Sequence, residues 1–188
     1  MPRISGESLQ QHRELLHRRV FDAFAALMGE HSFDAISMAA IAQRAEIGRT
    51  AIYHHFPDKE AVMVAFASHE TARYLEQLDA RLEGIEEPAE QLRVYLRHQL
   101  AAGEQFHMGL GTQVYGLLSD EARRAIRGHV VAVEDVLRRI LVSGIESGAF
   151  EITDLDSTMS LIHACLNPRH LPPAAIERFV LRGVGARD

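Results

Sequence analysis

Residues 37–60 read SMAAIAQRAEIGRTAIYHHFPDKE, and their spacing decides the fold. Ser37 suits a helix N-cap, because its hydroxyl can accept a backbone N–H bond. Met38, Ile41, Ala42 and Ala45 follow at helical spacing and make one apolar stripe. The run Ala45-Glu46-Ile47-Gly48 breaks that stripe. Gly48 reads as the permissive residue of a tight turn, and Ile47 as the apolar plug beneath it. A second helix is predicted from Arg49, with Ile52, His55 and Phe56 facing inward. Arg49, Thr50, Tyr53 and His54 fall on or near its outward face. Pro57 ends it, because the residue before a proline avoids the α region. Asp58 then caps a third helix that carries Lys59 and Glu60 in its first turn.

Two short helices about a tight turn, predicted over roughly residues 37–56, suit double-stranded DNA. A helix fits the major groove, and residues at its N-terminal end meet base edges. Arg49 and Thr50 stand at that end. Arginine pairs bidentately with guanine, at about 1–3 kcal/mol of discrimination per good pair. Tyr53 and His54, one turn on, suit phosphate oxygens, which set register without carrying direct sequence information. Ser37 and the backbone N–H groups at both helix starts offer further anion ligands.

The ordered run from Ile47 to Glu60, with Tyr53-His54-His55-Phe56-Pro57 followed by Lys59, resembles the tetracycline-repressor (TetR) family of bacterial regulators. The resemblance spans roughly residues 10 to 70 and includes Phe33 and the helix before it. It implies that Gly48, Arg49, Thr50 and Tyr53 belong to the recognition-helix region. It also implies that Lys59 contacts phosphate from the start of the next helix. Gly48 stands where the family often has a serine cap, and Ala39 and Ala40 stand where some members carry polar or basic residues.

Composition narrows the class. An apolar share of 47% in 188 residues allows a substantial core. Cys165 is the single cysteine, so no disulfide framework can form within the chain, which fits a cytoplasmic location. The N-terminus lacks the apolar stretch of a signal peptide, and no apolar run approaches the ~20 residues of a membrane span. The net charge of -6 is unusual for a nucleic-acid binder. Residues 1–60 hold seven basic against eight acidic side chains, so cationic charge must be local: Arg44, Arg49 and Lys59, with Arg3 on an N-terminal arm.

Along the chain, every periodic segment reads as helix. A first helix is predicted from about Leu9 to Met28, with Gly29 ending it and Val20, Phe21, Phe24 and Leu27 on one face. The helix that opens at Asp58 extends to about Leu82. Pro88 opens another, whose stripe includes Leu92, Tyr95, Leu96, Gln99 and Leu100. Gly103, Gly109, Gly111 and Gly116 predict a short or distorted helix over 103–116. Ser119 starts a long helix whose stripe runs through Ala122, Ile126, Val130, Val133, Val136, Leu137, Ile140, Leu141 and Ile145. Thr153 or Asp154 caps the next helix, which Pro168 stops, and Pro172-Pro173 opens the last.

The expected architecture is therefore all-α. A three-helix helix-turn-helix head occupies residues 1–70, and a helical effector-binding and dimerisation bundle occupies 71–188. One head reads one half-site, so a homodimer on a palindromic operator is expected, paired through the last two helices. In the resembling family the last two long helices form that interface. An unknown small-molecule effector is expected in the bundle, where aromatic, Met and a few polar groups suit a cavity. Candidate residues are Tyr95, Gln99, Phe106, His107, Met108, Tyr115, Met159, His163 and Asn167. Core packing is the competing reading of each. No catalytic residues, cofactor or metal are called for: neither a nucleophile elbow, a phosphate loop nor a C-x-x-C or H-E-x-x-H spacing occurs. A helical protein-interaction module and an all-α enzyme are the alternatives to a DNA-binding repressor.

Overall fold

The computed structural model describes residues 6–106, 116–166 and 171–186. These are helices and connecting turns, with no strand among the described residues. Helix α1 spans Gly6–Glu30, a 3-10 turn spans Phe33–Ala35, and α2 and α3 span Met38–Arg44 and Arg49–His55. Then follow α4 (Lys59–Leu82), α5 (Pro88–Phe106), α6 (Asp120–Glu146), α7 (Leu155–Leu166) and α8 (Pro173–Gly183). They form two compact units, residues 6–69 with 116–126, and residues 70–106 with the rest.

In the first unit, α1 lays Val20, Phe24 and Leu27 against α2, which returns Met38, Ile41 and Ala42. Ile52 and Phe56 of α3, and Val62, Met63 and Phe66 of α4, complete the core. Burial of each large apolar side chain is worth about 1.5–3 kcal/mol against exposure, so this cluster outweighs any single polar contact in the head. Leu118, Ala122 and Ile126 join the same core, so the start of α6 packs with the head.

The second unit gathers Leu78 of α4, Leu92, Tyr95 and Leu96 of α5, and Val136, Leu137, Ile140 and Leu141 of α6. Met159 and Ile162 of α7 and Ile176 and Val180 of α8 close it. Arg97 of α5 grips Glu177 of α8 bidentately, at 2.8 and 3.0 Å. Asp154 caps α7, its Oδ1 accepting the Ser157 N–H at 3.0 Å. Ser119 caps α6 through the Ala122 N–H at 3.3 Å.

Three expectations need correction. Gly29 lies inside α1, which continues to Glu30 and begins at Gly6. Residues 103–106 are regular α5 helix, so Gly103 does not distort it, while 107–115 lie outside the described residues. Val130 and Ile145 are 51% and 37% exposed. Val130 falls between the two cores that α6 serves in turn, Ala122 and Ile126 in one and Val136, Leu137, Ile140 and Leu141 in the other, and Ile145 falls beyond the second. No helix among the described residues is long and apolar enough to cross a membrane.

Candidate nucleic-acid interface

Ser37 opens α2 in extended conformation, and its Oγ accepts the Ala40 N–H at 3.2 Å. The helix closes in paired reverse bonds, Glu46 N–H to Gln43 O at 3.1 Å and Ile47 N–H to Ala42 O at 3.0 Å. That pattern places the residue after the C-cap in the left-handed region. The residue is Glu46, with φ 52°. Gly48 instead is extended, with φ -65° and ψ 145°, and a Cβ there would meet open space. The expectation that Gly48 supplies the turn's permissiveness is thus corrected. The αL position is fixed by where α2 ends and by Ile47 packing back on the core, two residues before α3 begins. Arg19 of α1 braces the turn by donating to the Glu46 carbonyl at 2.9 Å and its carboxylate at 3.4 Å.

Helix α3 is held from beneath by Ile52 and Phe56, both essentially buried. Arg49, Thr50, Tyr53 and His54 are exposed, as the spacing predicts, with Tyr53 52% exposed and so not core. His55 is half-buried. Its ring stands edge-on to that of His17 at 5.3 Å, and His17 in turn lies 4.9 Å from Phe56. Both imidazoles titrate below the ordinary histidine value. Burial is the main cause, followed for His17 by the charges of His55 and Arg13, and for His55 by Arg13, His54 and His12.

Fewer cationic side chains near the recognition helix are free of protein partners than the sequence suggests. Arg44 is locked bidentately on Glu30, with both bonds at 2.6 Å, and that pair holds the Glu30 carboxyl below the usual range. Lys59 donates to the carbonyls of Phe33, Asp34 and Ile36 at 2.9, 3.1 and 3.1 Å. Arg49, by contrast, makes no ion pair among the described residues. The partners of Arg19, Arg44 and Lys59 lie 14 to 27 positions away in sequence, beyond any local spacing signal.

Of the expected effector residues, Tyr95 is fully buried and its hydroxyl accepts a bond from Gln99 Nε2 at 2.9 Å. Burial pushes the Tyr95 phenol up to about 12, against which the Gln99 bond works. Met159 lies in the same apolar cluster, 5% exposed, and His163 is half-buried on α7. Phe106 ends α5, whereas His107, Met108, Tyr115 and Asn167 lie outside the described residues. In the same core lies Tyr74, whose ring is tilted by 40° against that of buried His98 at 4.4 Å, and whose carbonyl is 3.3 Å from His98 Nε2. A groove of about 380 Å³ opens in the first unit between Ala61, Val64 and Ala65 of α4 and Ala122 and Ala125 of α6. None of the expected effector residues lines it. Among the described residues no group of three or more His, Cys, Asp or Glu is arranged to hold a metal.

Residues 20–66 match the model of the bacterial regulatory proteins of the tetR family, and residues 88–179 match the tetracyclin repressor-like C-terminal domain. An HTH-type transcriptional repressor of Mycobacterium tuberculosis is 31% identical over 106 residues, 56% of this chain and 50% of that protein. The chain spans half or less of the length of the curated relatives it matches. Among solved structures, the regulator FadR from Bacillus subtilis in complex with stearoyl-CoA has a TM-score of 0.73 at 18% identity. It covers 89% of this chain and 96% of its own. A transcriptional regulator from Saccharomonospora viridis in complex with choline has a TM-score of 0.74 at 15% identity, covering 90% and 95%. At those identities the likeness is one of fold.

Proposed function

This chain belongs to the TetR family of bacterial regulatory proteins, and on that premise we propose that it is a cytoplasmic, sequence-specific DNA-binding repressor. It acts as a homodimer on a palindromic operator and is released by a small molecule. The TetR family is a family of regulators and not an enzyme class. One observation carries the reading. Helix α3 presents Arg49, Thr50, Tyr53 and His54 to solvent on a backbone pinned by buried Ile52 and Phe56. Arg49 heads the helix without a competing carboxylate, so its guanidinium is available to a guanine edge. Ser37, Gly48 and the amides at the starts of α2 and α3 add uncharged phosphate donors.

We assign DNA binding to residues 1–70 and effector binding and dimerisation to 71–188. The effector's polar anchor is the Tyr95–Gln99 pair, with Met159 as apolar lining and half-buried His163 of α7 as a further polar candidate. The fold neighbours were solved with ligands as different as an acyl-CoA and choline, so side chains rather than fold choose the ligand. Helix α4 runs unbroken from Lys59 to Leu82 and provides the continuous element through which effector and DNA can be coupled.

The test is binding to DNA selected from a random pool. Arg49→Ala combined with Tyr53→Phe lowers affinity by about ten- to a hundredfold, the worth of one bidentate base contact, with the dimer intact. Undiminished binding by that variant, or failure of the native protein to enrich any sequence, refutes the assignment.

A further inference from the structure

We propose that Lys59 is a positioning residue of the DNA head, a tripod clamp on the turn before α2, and not the phosphate ligand that family resemblance implies. The inference rests on the DNA-binding reading above. An ammonium has three donors and no acceptor. All three of Lys59 are spent on the carbonyls of Phe33, Asp34 and Ile36, at 2.9, 3.1 and 3.1 Å. Its Nζ also lies 4.6 Å above the ring of Phe33, a side chain 3% exposed. To reach a phosphate, Lys59 would abandon three converging acceptors and leave their carbonyls to water. Arg49 has no such rival engagement among the described residues.

The clamp's position gives it leverage. Ile36 is followed directly by Ser37, the N-cap that fixes the first turn of α2 through Ala40. Helix α2 then leads through the Glu46 turn to Gly48 and Arg49 at the head of α3. Lys59 thus ties the first turn of α4 to the entry of the two motif helices. Chemistry also accounts for the residue type. The chain carries 20 Lys and Arg residues, and Lys59 is its only lysine. A guanidinium spreads its donors in a plane, whereas an ammonium converges on three carbonyls at once.

Because the lysine is unique, lysine labelled with ¹⁵N gives one side-chain ammonium signal. In the native protein that signal is expected to be slowly exchanging and to stay unchanged when operator DNA is added. A signal in fast exchange with water, or a through-hydrogen-bond coupling to ³¹P in the complex, overturns the proposal. Lys59→Arg and Lys59→Met are then compared with the native chain. Both are expected to speed amide exchange at Ala40 and Ile41. Both lower operator affinity about tenfold at temperatures where they are folded, since displacing Arg49 forfeits roughly one good base contact. The slope of log affinity against log salt stays that of the native protein. A phosphate ligand predicts the opposite: Lys59→Arg binds normally, and Lys59→Met reduces the slope by about 0.9. Lower thermal stability with native affinity in the folded variants also overturns the positioning role. If the native protein binds no DNA, the functional reading fails, while the ammonium signal and amide exchange still decide the clamp.

Discussion

Glu46 is the only residue other than glycine with a positive φ among the described residues, at 52°. A side chain with a Cβ in that region carries strain of order 1–2 kcal/mol, which the burial of Ile47 and the Arg19 brace sustain. Glycine removes the strain and costs about 0.4–1 kcal/mol in unfolded-chain entropy. The lost Arg19–Glu46 carboxylate contact is exposed and contributes little. Glu46→Gly is therefore expected to raise stability by up to about 1 kcal/mol, and Glu46→Val to lower it, read as opposite shifts of the urea midpoint at constant slope. Equal midpoints would deny the strain. The position was hidden in the sequence, because glutamate carries no signal for this conformation and a glycine stood two residues away to attract the assignment. Gly144 shows the same limit. It lies in the last turn of α6, and the buried Phe150 ring occupies the space that a Cβ there would need. Gly144→Ala is expected to destabilise by about 1–3 kcal/mol, as overpacking does. A neutral effect in thermal unfolding would mean that the ring moves aside freely.

Between elements, the joint of α1 with α3 is where the head responds to protons. His17 on α1 and His55 on α3 face each other at 5.3 Å, and the neighbours that bear on them are Arg13, His12 and His54. Glu14 also borders the His17 surface, with Oε1 accepting a bond from Gln10. Both histidines titrate below 6.5 in the folded state, burial being the larger cause. The unfolded chain therefore binds protons at a pH where the folded chain does not. Stability is present in full above about 6.5 and is lost as pH falls through and below that value. His98 and His129 are shifted the same way, so the native chain alone does not isolate the joint. The discriminating measurement compares thermal midpoints of the native chain and His17→Phe across that window. The variant keeps the ring stacking and is expected to lose less stability on acidification; parallel curves would clear His17 of the effect. The helices themselves were legible from apolar period and caps, down to Ser37, Asp58, Ser119 and Asp154. Their pairings were not, since the contacts between His17 and His55 or Arg44 and Glu30 join residues that no local period connects.

At the scale of the whole molecule, the last two helices each have two apolar faces. Met159 and Ile162 of α7 and Ile176 and Val180 of α8 are buried in their own unit. Leu161 and Phe179, on the same helices, are 67% and 68% exposed. The sequence supplied the apolar content of this region but could not separate a face that closes the core from one left over, because both fall on the same short helices. Exposed large apolar side chains cost solubility unless a partner covers them, and in the homodimer proposed above a second copy of the same two helices would cover them by two-fold symmetry. Each side chain so buried returns about 1.5–3 kcal/mol, and symmetry doubles the gain. Leu161→Asp with Phe179→Asp places four carboxylates in that face of a dimer and leaves both cores untouched. The double variant is expected to elute as a monomer of 21.0 kDa with helical content unchanged. Its operator affinity falls by more than the Arg49 substitution alone, because it loses a whole half-site rather than one base contact. A variant that stays dimeric moves the interface elsewhere on the chain. A variant that is monomeric yet binds the full operator as tightly as the native protein removes the need for two-fold symmetry.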